Sequence, residues 1–440
     1  MPDTTIYQRP SELLQHLIRF DTTNPPGNEA ACVYYIRDLL QTAGLETTIL
    51  ARNEKRPNLI ARLKGNGTAP PLLLQGHVDV VTTAKQQWQQ PPFAGNVADG
   101  YVWGRGALDM KGGVAMLVSA FLRAHIEKTA LPGDVILTIL ADEEAGGDDG
   151  AKFLVEQHPE QFAGVRYALG EFGGFSMWVA GQKFYPIMVA EKQICSLRLT
   201  VRGPAGHGSR PIRGGAMTKF ARMIQKLEQN HLPVHVTPVV RQMIEGMATA
   251  VSFPTNFVLR QLLNPALTNA MLKGLGEQAS TFAPLLHNTV SPTIVRGGDK
   301  INVIPSEIAC EMDGRLLPGF TPDDMVTELR ALLGQDVQIE VTAHDPGPAA
   351  PNMALFETLA GILREADPAG HPLPLLLIGV TDARFFSRLG IQTYGFLPMS
   401  LPPDFRFADV IHAADERVPA QAIEFGATAV HMALQRFGQA

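Results

Sequence analysis

The chain has 440 residues, of which 45% are hydrophobic and 18% charged, and its formal net charge is -6. This length exceeds what one hydrophobic core usually organises, so we expect two domains. The negative charge disfavours nucleic acid and anionic membranes as partners, because both attract basic surfaces. Three cysteines (Cys32, Cys195 and Cys310) lie far apart and indicate neither a disulfide framework nor a cysteine-based zinc site.

The N-terminal stretch lacks the basic and apolar regions of a signal peptide, and no apolar run reaches membrane-spanning length. Together with the cysteine usage, this predicts a soluble, cytoplasmic protein with no membrane partner.

The sequence up to residue 191 alternates between helix and strand patterns. "SELLQHLIRF" has helical spacing, with Ser11 as its expected N-cap, and "EAACVYYIRDLLQTAG" predicts a second helix that ends at Gly44. "PLLLQGHVDVV" and "DVILTILADEE" predict buried strands, separated by a helix in "MKGGVAMLVSAFLRAHIEK". Strand, helix, strand in this order predicts an α/β fold with a mainly parallel central sheet.

The pattern changes near Glu191. "QICSLRLTVRG" alternates polar and apolar residues, as expected for a strand with one covered face. A helix is predicted from about Ala216, a mainly helical segment up to about Leu286, and then strand, helix, strand. We therefore expect residues 192–345 to form an inserted α+β domain. Residues 1–191 and 346–440 would form the discontinuous α/β domain.

Polar side chains follow the predicted strands where each strand ends. In open α/β sheets, ligands bind beyond the carboxyl ends of the strands. Three of the candidate positions follow predicted strands. One more lies in a glycine-rich loop ahead of a helix, and another comes from the C-terminal part. The candidates are His77 with Asp79, Glu143 with Glu144, Glu171, Asp109 and His412.

Each of these residues alone has a simpler interpretation, as a satisfied core histidine or a solvated loop acid. Their combination is a ligand set suited to zinc. A carboxylate two residues beyond a metal-binding histidine can also hold the far ring nitrogen and fix its tautomer. This would explain the pairing of Asp79 with His77.

Several longer motifs carry a family resemblance. "GHVDVV", "GYVWGRGALDMKGG", "ADEEAGG", "GPAGHGS", "GGDKINVIPSE", "DGRLLPG" and "VTDARFF" occur in the order seen in co-catalytic zinc metallopeptidases. The sequence resembles this family, which includes aminoacylase, carboxypeptidase S, glutamate carboxypeptidase and succinyl-diaminopimelate desuccinylase. The resemblance extends from about residue 10 to the C-terminus. It implies a zinc-peptidase-like catalytic domain with an inserted lid and dimerisation domain.

The resemblance also implies two Zn²⁺ ions, for which Co²⁺ or Mn²⁺ can substitute. It assigns the ligands as a bridging Asp109, with His77 and Glu171 completing one ion and Glu144 and His412 the other. Glu143 would be the general base for a zinc-activated water. Such paired metals lower the pKa of the water and hold the oxygens of the tetrahedral intermediate.

Three further residues have counterparts in the family. His207 resembles the lid histidine that stabilises the developing oxyanion, often across a dimer. Asn302 resembles a substrate-positioning residue, and Arg384 resembles the residue that binds the substrate carboxylate. A homodimer through the inserted domain is expected. A monomer also remains open, because the segment 235–286 could cover the edge strand through which relatives pair.

These assignments predict hydrolysis of an amide bond next to a free carboxylate, in an N-acyl amino acid or a short peptide. One alternative is a non-catalytic peptide- or amino-acid-binding relative, which should have lost Glu143 or a metal ligand. Another is a single-metal hydrolase, which would not need Asp109 as a bridge. The sequence leaves the preferred acyl group and amino acid open.

Overall fold

The computed structural model describes residues 3–276 and 279–439. The chain before residue 192 alternates helices and strands. Its helices are α1 (Pro10–Ile18), α2 (Ala30–Thr42), α3 (Lys111–Ile126) and α4 (Ala151–Gln157). Its strands are β1 (Thr47–Leu50), β2 (Asn58–Leu63), β3 (Leu72–His77), β4 (Asn96–Ala98), β5 (Tyr101–Trp103), β6 (Val135–Leu140), β7 (Tyr167–Gly170), β8 (Met177–Val179) and β9 (Gln182–Glu191).

The helix ends show one wrong prediction and one confirmed prediction. Ser11 is not the N-cap of α1, because the helix begins one residue earlier, with Pro10 in its first turn. Proline suits that position because its missing N–H would have no partner there. The Ser11 hydroxyl instead donates to Glu424 at 2.8 Å. Gly44 follows α2 with a φ of 88°, the left-handed conformation that glycine adopts without strain.

The middle of the chain contains an antiparallel sheet and a group of helices. Its strands are β10 (Gln193–Arg202), β11 (Gly206–His207), β12 (Thr289–Arg296), β13 (Val303–Ile304), β14 (Glu307–Leu316) and β15 (Val337–Asp345). Its helices are α5 (Ala216–Gln229), α6 (Pro238–Ala250), α7 (Thr255–Leu262), α8 (Thr268–Leu275), α9 (Ala279–Leu286) and α10 (Pro322–Leu333).

The remainder of the chain returns to α/β character. Its helices are α11 (Phe356–Ala366), α12 (Ala383–Phe386), α13 (Phe407–Val410) and α14 (Ala420–Arg436). Its strands are β16 (Gly370–Leu377), β17 (Gln392–Gly395) and β18 (Arg417–Pro419).

The contacts divide the chain into two units. The first contains the chain up to Val189, Pro351–Leu375 and the chain from Thr381 onward. The second contains Ala190–Ala350 and Leu376–Val380. Among the described helices, none is long and apolar enough to cross a membrane.

The first unit is organised around a sheet with the order β1-β2-β6-β3-β7-β17-β9-β16, and β8 pairs with β9. The strands β6, β3, β7 and β17 run parallel to one another, whereas β1, β2 and β9 pair antiparallel. Every residue of β3 and β6 is buried, as expected for central strands covered on both faces. The predicted α/β fold with a mainly parallel central sheet is therefore confirmed.

The second unit contains a sheet with the order β12-β14-β10-β15. Side chains of α5 and α10, such as Met223 and Leu329, join its buried core. The edge strand β12 is exposed from Ser291 to Arg296, so the helices α6 to α9 leave these residues uncovered. An exposed edge strand of this kind is available for pairing.

The return from this helical segment to β12 is held by buried polar groups. Lys192 donates to the carbonyls of Pro284 and His287 and to the Thr289 hydroxyl, at 2.9–3.0 Å. His287 is 1% exposed, and its Nδ1 lies 2.7 Å from the Leu232 carbonyl. Burial lowers the pKa of His287 to about 4, and the nearby His231 acts in the same direction. His287 is therefore neutral in the folded protein at ordinary pH.

Replacing His287 by Asn should remove part of the acid sensitivity of the fold. Between pH 6.5 and 4 the unfolded chain takes up a proton at His287 that the folded chain does not. The free energy of unfolding should therefore fall as the pH is lowered, by about 3 kcal/mol from this residue. Denaturant unfolding at several pH values measures this loss. An Asn amide keeps a donor for the Leu232 carbonyl, and an unchanged loss in the variant would contradict the assignment.

Candidate metal centre

Three neighbouring parallel strands deliver acidic and histidine side chains to one edge of the sheet. β3 ends at His77, and β7 ends one residue before Glu171. Glu143 and Glu144 do not extend β6 as the sequence suggested. They lie in a short 3₁₀ turn, Glu143–Ala145, that begins three residues after the strand. Asp109 precedes α3, and His412 follows α13.

Asp109 divides its carboxylate between two histidines. Oδ1 lies 3.2 Å from Nε2 of His77, and Oδ2 lies 2.9 Å from Nε2 of His412. Glu171 Oε2 lies 3.3 Å from His77 Nε2, and Glu144 Oε1 lies 3.4 Å from His412 Nε2. The residues therefore form two groups that meet at one shared carboxylate.

Within each group the potential ligand atoms lie within 4.8 Å of one another. The groups are His77, Glu143 and Glu171, and Asp109, Glu144 and His412. Nitrogen and carboxylate oxygen atoms are the donors that zinc and other divalent transition metals prefer. Within the described part of the chain, the buried Glu144 Oε1 accepts no hydrogen bond. The donor set therefore fits two metal ions.

The tautomer of His77 also suits a metal. Its Nδ1 lies 3.1 Å from the Asp79 carbonyl, an acceptor that requires Nδ1 to carry the proton. The lone pair of Nε2 is then free to face Asp109 and Glu171. The contact was expected from the Asp79 carboxylate, whose Oδ1 lies slightly farther away, at 3.4 Å.

Burial and mutual repulsion disfavour the charged forms of the glutamates in the site. Burial raises the pKa of Glu171 to about 7, although His77 opposes the shift. Burial, followed by the charge of Glu171, raises the pKa of Glu143 well above its ordinary value. The carboxylates of Asp109 and Glu144 raise the pKa of His412 to about 10. Excess negative charge of this kind favours the binding of cations.

The Asp79 carboxylate holds the turn that carries the two glutamates. Oδ1 accepts the backbone N–H of Glu143 and Oδ2 that of Glu144, both at 3.1 Å. Oδ2 also accepts from Asn24 Nδ2 at 2.8 Å. Asp79 lies beyond the end of β3, so the alternation of a strand does not place it. The three N–H donors fix its position, and Asp79 is fully buried among them.

A second set of polar residues behind this turn was not found from the sequence. Asn24 also donates to Asp142 Oδ1 at 3.1 Å, and Arg56 Nη1 lies 2.8 Å from the same oxygen. Arg56 Nη2 is paired in turn with Glu29 at 2.7 Å. This network supports Asp142, whose φ of 66° is uncommon for a residue other than glycine. Each contact joins distant parts of the sequence, so no local pattern marks it.

Arg384 lies in the same unit as these residues. It is 8% exposed, and its Nη2 donates to the Gly146 carbonyl at 3.3 Å, just beyond the Glu143–Ala145 turn. Asp382, in the same "TDAR" motif, is 1% exposed, and neither of its carboxylate oxygens accepts a hydrogen bond from a described residue. Burial raises the pKa of Asp382 to about 8. Asp382 was not among the residues that the sequence pattern indicated.

His207 and Asn302 lie in the second unit and are neighbours there. β11, which contains His207, pairs with β13, and the Gly208 N–H donates to the Asn302 carbonyl at 2.8 Å. Nδ1 of His207 accepts the N–H of Ser209 at 3.2 Å. The other ring nitrogen, Nε2, therefore carries the proton in the neutral ring and is the available donor.

A small aromatic-lined cavity of about 10 Å³, roughly the room for one water molecule, adjoins the acidic cluster. Asp109 and Glu171 line it together with Phe172, Phe175 and Phe407. The rings of Phe175 and Phe407 stack with centroids 4.0 Å apart, and Phe172 meets both edge-on. These rings place an apolar surface beside the polar groups of the site.

This fold and the two ligand groups define a metal-dependent hydrolase of the metallopeptidase and aminoacylase class. Residues 73–436 match peptidase family M20/M25/M40, and the chain belongs to that family.

Two relatives illustrate the range of the family. Human N-fatty-acyl-amino acid synthase/hydrolase PM20D1 is 29% identical over 374 residues, which cover 80% of this chain and 71% of the relative. Aminoacylase-1 of Sus scrofa is 27% identical over 426 residues, which cover 92% of this chain and 89% of the relative.

Solved structures share the fold. The M20 family metallo-carboxypeptidase Sso-CP2 from Sulfolobus solfataricus superposes with a TM-score of 0.69 at 15% identity, covering 100% of both chains. The YXEP protein of Bacillus subtilis, described as a dinuclear metal-binding peptidase of the M20 family, gives 0.61 at 14% identity and covers 99% of both.

Proposed function

We propose that this protein hydrolyses the amide bond of N-acyl amino acids that carry an apolar acyl group. The observation that supports it most directly is the Asp109 carboxylate shared between His77 and His412 beside an aromatic-lined cavity. The three free, buried cysteines favour a reducing compartment, and we assign the reaction to the cytoplasm.

We assign two Zn²⁺ ions to the centre, with Co²⁺ or Mn²⁺ as substitutes. The proposed ligands of one ion are His77, Asp109 and Glu171, and those of the other are Asp109, Glu144 and His412. When bound, such a pair lowers the pKa of water and stabilises negative charge on oxygen.

Glu143 is the proposed general base. Its carboxylate groups with His77 and Glu171, whereas the adjacent Glu144 groups with Asp109 and His412. The turn that contains them directs neighbouring side chains to different groups. Glu143 accepts a proton from the attacking water and delivers it to the leaving amine nitrogen. Burial raises the pKa of Glu143, which favours the protonated form that delivers a proton to the amine.

Glu143→Gln and Glu144→Gln should separate the two roles. Glu143→Gln should retain two metal ions per chain and lose turnover by roughly 10²–10⁴-fold, because only proton transfer is removed. Glu144→Gln should bind metal more weakly, because a charged ligand is lost. Metal content and kcat of both variants are the measurements. Near-normal turnover in Glu143→Gln would exclude it as the base.

Two features support an acyl amino acid as the substrate. The Arg384 guanidinium offers a planar fork of donors for a carboxylate, and it is tied to the turn after Glu143 through the Gly146 carbonyl. The rings of Phe172, Phe175 and Phe407 offer an apolar surface against which an acyl chain could pack. The names of PM20D1 and aminoacylase-1 agree with such a substrate for those relatives.

A substrate series tests this assignment. The wild-type enzyme should give a higher kcat/KM for apolar N-acyl amino acids than for dipeptides or for acyl amino acid carboxamides. Arg384→Lys keeps the charge but loses the fork, so its kcat/KM for free acids should fall roughly 10-fold or more.

Arg388→Lys is the matched control, because Arg388 also packs on Phe385 but pairs with Glu156. If Arg384→Lys shows the same ratio of kcat/KM for acids over carboxamides as wild type, Arg384 is not the anchor. A preference for dipeptides would redefine the enzyme as a dipeptidase.

The second unit is the proposed lid and dimerisation domain. Its Nε2–H donor on His207 suits an oxyanion, and the adjacent Asn302 suits substrate positioning. The exposed edge strand β12, with Ile294 at 47% and Val295 at 54% exposure, supports pairing with a second copy of the chain. We propose that His207 serves the active site of the partner subunit.

Mixing two inactive variants, His207→Ala and Glu143→Gln, tests the origin of this histidine. If His207 acts in trans, one of the two sites of a mixed dimer has both groups. Each mixed dimer should then recover about half the activity of a wild-type dimer. Recovery is followed by turnover and subunit exchange by fluorescence energy transfer. No recovery despite exchange would mean that His207 serves its own chain or is not catalytic.

A further inference from the structure

A buried ion pair of Arg105 and Glu416 has no role in the chemistry described above. Both residues are 0% exposed, and Arg105 Nη1 lies 2.5 Å from Glu416 Oε2. Apolar residues of similar volume often stabilise a fold as well as a buried ion pair does. The role of the pair is therefore sought in its hydrogen bonds to neighbouring backbone groups and not in the stability of the core.

Glu416 uses its other oxygen to hold the loop of the shared carboxylate. Oε1 accepts the backbone N–H of Leu108 at 2.8 Å and that of Asp109 at 3.2 Å. The pairing of β18 with β5 brings Glu416 there, and its own carbonyl accepts the Gly104 N–H at 2.9 Å.

Arg105 holds the second element. Its Nη2 donates to the His412 carbonyl at 3.1 Å and to Gln86 Oε1 at 2.9 Å, while Gln86 Nε2 donates to the same carbonyl at 3.0 Å. His412 needs this support, because its φ of 60° is uncommon outside glycine and its side chain is 47% exposed.

We propose that Arg105 and Glu416 are positioning residues that set the distance between Asp109 and His412 and thereby the affinity for the metal ion that these two residues share. The pair is hydrogen-bonded to the backbone of both proposed ligands, which are 303 residues apart in the chain. The inference rests on the proposed metal centre. Outer partners that orient metal ligands typically change metal affinity or activity by about 10–100-fold when they are removed.

The test is a Zn²⁺ titration of the metal-free protein against a chromophoric chelator. Wild type should bind two ions. Glu416→Gln and Arg105→Lys should bind one of the two roughly 10–100-fold more weakly, and saturating Zn²⁺ should restore much of the turnover because every ligand remains. With Co²⁺ in place of Zn²⁺, the visible absorption of the weakened ion should change.

Asp367→Asn is the matched control, because it breaks the Lys183–Asp367 pair in the same unit without contacting a proposed ligand. It should bind both ions like wild type at a comparable loss of thermal stability. If Glu416→Gln does not fold, Arg105→Lys alone decides. If folded Glu416→Gln and Arg105→Lys bind both ions with wild-type affinity, the positioning role is wrong. If wild type binds fewer than two ions, the proposed centre itself is wrong.

Discussion

Repulsion among buried carboxylates at the ends of β3, β6 and β7 is the constraint on which the site depends. Burial raises the pKa of Glu171 to about 7 and that of Asp382 to about 8, and the charge of Glu171 raises the pKa of Asp382 further. Buried charges of one sign persist only where donors or cations face them. The histidines and backbone N–H groups around the cluster supply part of that compensation, and the proposed metal ions supply the rest.

Two buried polar networks hold the groups in place. Asp79 ties the backbone of Glu143 and Glu144 to His77, and Arg56 supports the adjacent Asp142. On the other side, Arg105 and Glu416 connect the backbones of Asp109 and His412. Both networks use charged side chains where apolar packing would fill the space. Hydrogen bonds have direction, and ligand atoms must be placed to within fractions of an ångström.

The surroundings of the cluster combine two kinds of recognition. Arg384 lies in one short motif with Asp382, whose carboxylate accepts no hydrogen bond from the described part of the chain. Phe172, Phe175 and Phe407 form an apolar wall beside Asp109 and Glu171. A substrate with one charged and one apolar end matches this division. The same fold carries different specificities in its relatives, because such walls and anchors lie in loops that the sheet merely positions.

The sequence by itself determined the order of helices and strands and the parallel sheet, because these depend on periodicity and turn residues within short segments. It did not show that β6 ends at Leu140, three residues before Glu143. It also pointed to the candidate ligands, since His77, Glu143, Glu144 and Glu171 each lie at or just beyond the end of a recognisable strand. Only the tertiary structure decided their partners. The contact of Glu416 with Arg105 spans 311 residues, and it arises from the pairing of β18 with β5. Contacts between distant segments leave no periodic signal in either one, because they depend on how the chain crosses itself after its local elements have formed.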